Sequence, residues 1–162
     1  MDFFEENENG RGPKISDELI AQAERKLGVR LPQAYRELLT DRNGGTPKRR
    51  CFRTEHPTSW ARDHFQVQTL LGIGYDDGID GEFGSEYMTQ EWGYPAIGVV
   101  VFDTPAAGPD TVMLDYSRCG PSGEPRLVYV DDDRSVLPVA DNFGEFVAKL
   151  VDCSAFDARD GS

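Results

Sequence analysis

The stretch ISDELIAQAERKLGVRLPQAYRELLTDRNGG, residues 15–45, decides the fold. Ser16 stands where a helix N-cap is needed, and Asp17 and Glu18 follow in the first turn, where the helix dipole favours negative charge. Ile15 and Ile20 occupy the two positions of a hydrophobic staple. Leu19, Ile20, Ala23 and Leu27 form an apolar stripe at helical spacing, and Gly28 suits the left-handed residue that ends such a helix. Pro32 then opens a second helix, where a missing N–H costs little. Tyr35, Leu38 and Leu39 continue its apolar face, and Asn43-Gly44-Gly45 ends it with residues that tolerate positive φ. A helix pair with a very short connection is expected.

Upstream, residues 1–14 are rich in Glu, Asn and Gly and read as a flexible tail, with Phe3 and Phe4 as possible local anchors. Downstream, Thr46–Trp60 shows no clear pattern and holds the basic cluster Lys48, Arg49, Arg50 and Arg53. The chain turns strand-like from Phe65 to Ile73. A long polar stretch, residues 74–95, follows with a short helix expected near Ser85–Trp92. Ile97–Phe102, Thr111–Tyr116 and Arg126–Val130 are β-branched and aromatic, with Gly/Pro-bearing loops between them, and predict an antiparallel meander. Asn142 and Glu145 have capping-box spacing, and Phe143, Phe146, Val147, Leu150 and Val151 form the apolar face of a last helix. Helices flanking a run of strands make the class α+β. The expected organisation is a single domain over 15–153 with tails at 1–14 and 154–162.

The chain has 162 residues and a formal net charge of −12, from 17 Lys plus Arg against 29 Asp plus Glu. That charge disfavours nucleic acid and anionic membranes and favours a basic partner. Cys51, Cys119 and Cys153 are odd in number, widely spaced and form no CxxC pair, so free thiols in a reducing, cytoplasmic setting are expected. No apolar h-region opens the chain, and no apolar run approaches the roughly 18 residues of a membrane span.

Four stretches carry a family resemblance. In 15–45 the pattern Ala23, Glu24, Leu27, Gly28, Leu31, Pro32, Tyr35, Asn43, Gly44 and Gly45 is fairly specific, because several spacings hold at once. The others are LLGIG at 70–74, YPAIGVVVFD at 94–103 with the strand 111–116, and LVYVDDD…VLPVADNFGEFVAKLVD at 127–152. Together they resemble the SUKH superfamily, which takes in yeast-type Smi/Knr cell-wall-assembly regulators and many bacterial proteins. The resemblance implies helices packed around one mainly antiparallel sheet. It also implies a non-enzymatic binding role: bacterial members are regarded as immunity proteins that neutralise toxin domains, often nucleases, whereas fungal members act in signalling. It supplies no shared catalytic residues. The stretch 74–93, the loop Thr104–Pro109 and the run Asp131–Asp133 depart from the family pattern, which bears on the partner more than on the fold.

Candidate binding residues follow from charge and aromatic content. Asp76, Asp77, Asp80, Glu82 and Glu86 form an acidic loop beside Tyr75, Phe83, Tyr87 and Trp92, which combines steering with aromatic anchors. Asp131, Asp132 and Asp133 form a second acidic group, for which a plain solvated turn is favoured over a second binding patch; Asp103 and Asp115 could join either. The first group fails as a calcium loop: counted from Asp76, the third position is Gly78 and the twelfth is Tyr87. His56 and His64 lie eight apart, which fits no zinc hairpin. No nucleophile motif or phosphate loop is present, and no cofactor is expected. The basic cluster at 48–53 is expected to pair with acidic residues of the same chain. Three readings stand: an immunity protein bound to a basic toxin domain, a regulatory interaction module without a toxin, and a metal-dependent hydrolase using the carboxylates.

Overall fold

The computed structural model describes residues 2–156. The first helix, α1 (Asp17–Leu27), begins where the Leu19 amide donates to Ser16 Oγ at 3.2 Å and ends at Gly28, φ 71°. Ile15 and Ile20 are half-buried against the core, as a staple requires. Helix α2 (Gln33–Asp41) follows after five residues and buries Tyr35, Leu38 and Leu39. Beyond it come β1 (Cys51–Arg53), β2 (His64–Gln66), α3 (Ser85–Trp92), β3 (Gly98–Phe102), β4 (Thr111–Asp115), β5 (Arg126–Val130), β6 (Val136–Ala140) and α4 (Phe143–Lys149). The class is α+β.

Strands β3 to β6 form one antiparallel meander in chain order, and β1 pairs with β2 in a separate ribbon. Met113 on β4 faces Val100 on one side and Val128 on the other. Every residue of β4 is buried, so both faces of the sheet are covered. Helix α4 packs on β5 and β6, α2 on α4, and α3 on β3. A two-stranded ribbon is marginal alone. Here aromatic stacking ties it to the core: Phe52 lies 4.7 Å from Phe146, and Phe65 lies 4.1 Å from Tyr129.

Several features differ from expectation. Residues 2–14 are laid against the domain. Phe4 is buried and bridges to Pro47, and Arg42 Nη1 donates to the Glu5 carbonyl at 3.0 Å while its guanidinium lies 5.5 Å from the Phe4 ring. The Gly12 amide donates to the Asn43 carbonyl at 2.7 Å. Second, the strand expected over 65–73 is ladder only at 64–66. Beyond it, Leu70 makes isolated bridges to Gly45 and Phe102. Third, the meander has a further strand, β6, at the open edge of the sheet, with Pro138 offering no N–H and Val136 36% exposed. Fourth, Cys51 and Cys153 are joined in a disulfide 102 residues apart in sequence, and only Cys119 is free among the three. The fold brings the end of α4 beside β1, a proximity that spacing alone does not reveal. Residues 154–156 are helical and Phe156 is 1% exposed, so the domain's packing runs past 153; residues 157–162 of the expected tail lie outside the described residues.

Candidate protein-binding face

The loop before α3 is wound on a buried residue. Ile79 is fully buried, its amide donates to the Gly72 carbonyl at 2.8 Å, and its carbonyl accepts from the Ser85 amide at 2.9 Å. The Phe83 amide donates to the Asp76 carbonyl at 2.9 Å. The coil is so tight that a Cβ on Gly81 would stand 2.1 Å from the Tyr75 carbonyl oxygen, which explains the glycine there. With Ile79 turned in, Asp76, Asp77, Glu82 and Phe83 turn out to solvent.

Asp80 differs from its neighbours. Its Oδ1 accepts from the Gly74 amide at 2.9 Å, and its carbonyl accepts from Lys26 Nζ at 2.5 Å, so it fastens the loop to itself and to α1. Tyr75 is likewise structural: its hydroxyl accepts from the Gly72 amide at 2.9 Å and donates to the Gly10 carbonyl at 2.7 Å.

Helix α3 is stitched to the sheet at its start, where buried Ser85 Oγ accepts from the Val100 amide at 2.8 Å. Met88 and Trp92 face the core, which leaves Glu86, Tyr87, Gln90 and Glu91 exposed. Phe83 and Tyr87 are 47% and 44% exposed, and their rings meet edge to face at 5.4 Å. Large aromatics are normally drawn inward, so this pair is the chief apolar feature of the face. Trp92, expected among the anchors, is half-buried instead, with its ring close against Gly108.

Asp131–Asp133 form the turn between β5 and β6. The Asp131 carboxylate accepts from the Ser59 amide at 3.0 and 3.2 Å. Asp133 Oδ1 accepts from the Ser135 hydroxyl at 2.6 Å and the Ser135 amide at 2.9 Å, which hold its carboxyl below the usual range. Asp132 is exposed. Arg134, at φ 70°, clamps this turn to the end of α3: it donates to the carbonyls of Trp92 at 2.6 Å, Asp132 at 2.6 Å and Pro109 at 2.9 Å.

The two acidic groups therefore sit at opposite ends of α3, roughly 12 Å apart along an eight-residue helix. Asp76, Asp77, Glu82, Glu86, Glu91, Asp132 and Asp133 are all exposed along this line. Residues 74–93 contain no Lys or Arg, so this segment contributes only negative charge to the face; the cations beside it, Lys26 and Arg134, are each tied to backbone carbonyls. Glu91 is the added member; its position one turn beyond Tyr87 is the signal that could have placed it. Arg134 has no comparable local signal.

Asp115 and Asp103 stay off this face. Asp115 is buried. Burial alone would raise its carboxyl, but the Ser117 hydroxyl and amide and Arg126 Nε at 2.8 Å bring it below the usual range. Asp103 is half-buried and accepts from the Thr69 amide at 2.8 Å; burial pushes its carboxyl up to about 6, and the charge of Asp77 adds to the rise. His56 is exposed, and His64 Nδ1 lies 2.9 Å from Asp63 Oδ1. Among the described residues, no group of three or more His, Cys, Asp or Glu could hold a metal ion. Among them, too, no helix is long and apolar enough to cross a membrane. A groove of about 800 Å³ lies elsewhere, between β1, β6 and the end of α4.

Of the basic cluster, Lys48 pairs with an acidic residue of the chain, and Arg53 instead meets an aromatic ring. Lys48 Nζ lies 2.7 Å from Asp2 Oδ1, and the Arg53 guanidinium sits 4.8 Å from the Phe156 ring.

Residues 17–147 match a family model, SUKH_6, described as SMI1-KNR4 cell-wall. Neither a curated protein nor a solved structure gives a significant match. The family match takes in both helices of the opening motif, the whole meander and most of α4. The chain belongs to the SMI1-KNR4 family of the SUKH superfamily.

Proposed function

We propose that this SUKH domain works by binding, without catalysis, and that its α3 face engages a basic protein; in a bacterial setting that partner is a toxin domain, with a nuclease the leading kind. SUKH domains are generally non-catalytic binding domains. The observation that carries the reading is the acidic line along α3 with the exposed Phe83–Tyr87 pair within it. Carboxylates steer a cationic partner, and desolvated aromatics supply the anchor that charge alone lacks. A nuclease holds phosphate in a basic cleft, and an acidic protein face complements such a cleft.

The test starts from the neighbouring genes: a secreted toxin domain encoded beside this one is expected, and the two are then co-expressed. Co-purification of the two and restored growth of cells making the toxin are expected. Reversing Asp76, Asp77 and Glu86 to Lys should abolish both. Failure of the unaltered chain to protect cells would sink the reading.

A further inference from the structure

The chain beyond α4 returns to the small ribbon and is locked there. The Cys51 amide donates to the Val151 carbonyl at 3.1 Å, and the Val151 amide donates to the Cys51 carbonyl at 2.8 Å. Cys153 closes the disulfide to Cys51 two residues later. Phe156 ends the return, 1% exposed, with its ring centroid 3.9 Å from that of His64 and the Arg53 guanidinium over it. Of these contacts, the disulfide alone is covalent.

The two sulfurs differ in setting. Cys51 is 1% exposed inside β1, whereas Cys153 is half-buried on the returning segment. Arg49, Arg50 and Arg53 surround Cys51 in sequence. Asp152, next to Cys153, is held below its usual range by the Ser154 amide and hydroxyl, with Arg49 and Arg50 adding to the effect, so their positive field reaches this site. The binding face on α3 uses none of these cations.

We propose that Cys51–Cys153 is a thiol–disulfide exchange site, a latch that a dithiol reductant opens to release residues 151–156 from the small ribbon. One thiolate of the dithiol attacks Cys153 Sγ, the sulfur on the more exposed residue. The S–S bond breaks, and its electron pair leaves on Cys51 Sγ, which takes a proton from solvent. The second thiol of the dithiol loses its proton and attacks the mixed disulfide. Cys153 then leaves as a thiolate and is protonated. Two cysteine thiols form, and the dithiol becomes a disulfide. The positive field of Arg49 and Arg50, which reaches Asp152, favours thiolate formation at this site. Opening uncovers His64. It also withdraws Val151 from the groove that it lines with Phe52, Leu137 and Val139.

The experiment is hydrogen exchange on the full chain carrying Cys119→Ser, which prevents disulfide shuffling, in oxidised form and after dithiothreitol. The amides of 151–156 are expected to exchange about tenfold faster or more after reduction, while β3, β4 and β5 stay protected. Cys51→Ser with Cys153→Ser should show the fast pattern without reductant. Chemical reduction gives the same readout should that variant fail to fold. Equal protection of 151–156 in both states overturns the proposal. So does exchange of β3–β5 as fast as that of the segment, because the disulfide is then a staple of the whole domain.

Discussion

Asn43 Nδ2 donates to the carbonyls of Pro13 and Ile73 at 2.6 and 2.7 Å, and its Oδ1 accepts from the Ile73 amide at 2.8 Å. It is 3% exposed. Asn43→Ala leaves buried backbone groups without partners, and a loss of about 2–4 kcal/mol is expected, read from the urea unfolding midpoint. As the first residue of Asn-Gly-Gly, Asn43 is legible as a helix stop. Its hold on residues 13 and 73, each thirty positions away, is not, because side-chain reach across a fold leaves no mark on local spacing. Asp103 gives a second test at this scale. Its carboxyl titrates near 6 in the folded chain, against an ordinary value of 3.8, so the folded state holds the proton more tightly. The proton's contribution to stability is full below the ordinary value and is lost as pH rises through about 6. Asp103→Asn keeps an acceptor for the Thr69 amide and removes the charge. The variant should be more stable at neutral pH by about 1–3 kcal/mol, with a flatter stability curve between pH 4 and 6. A curve parallel to that of the unaltered chain would contradict this account.

Helix α3 is held through Ser85, Met88 and Trp92, so its outer residues are dispensable for folding. Phe83→Ala with Tyr87→Ala should leave thermal unfolding within about 0.5 kcal/mol of the original. Calorimetric titration with the basic partner should nonetheless show a loss of about 2 kcal/mol or more, roughly thirtyfold in affinity. The segment after α4 behaves oppositely. Its two backbone hydrogen bonds to β1 supply about 1 kcal/mol each, and burial of Phe156 about 2–3 kcal/mol. Ordering six residues costs about 1–2 kcal/mol apiece, more than these contacts return, so without the disulfide the segment is expected to detach. Reduction should lower the urea-unfolding free energy by about 2–4 kcal/mol while the domain remains folded. Elements with local signals are legible: the Ser16 cap and Gly28 stop of α1, the capping box of α4, the Ser85–Trp92 helix and the three β-branched, aromatic-rich strands. β1 has no such signal, because its three residues become a strand only through stacking on Phe146 and pairing with β2. β6 is masked by Pro138, and the N-terminal arm by its polar composition, although Phe4 and its Pro47 bridge dock it.

At the scale of the molecule, the net charge of −12 is gathered in good part on one side, along α3. Association with a basic partner should slow about tenfold or more as salt rises from about 20 to 500 mM, measured by stopped-flow fluorescence. A rate insensitive to salt would remove the steering role of that face. The fold class and the acidic groups are legible in the sequence, but their arrangement at the two ends of one helix depends on Arg134 reaching Trp92 and Pro109. The far edge of the sheet has a different consequence. Strand β6, VLPVA, is apolar throughout and lies at an open edge, the kind of surface on which chains stack into aggregates. Pro138 withholds an N–H in the middle of that edge and so interrupts any ladder a neighbouring molecule could build. A Val in its place would keep the strand and restore the missing donor, so a chain with sound folding energetics would gradually come out of concentrated solution.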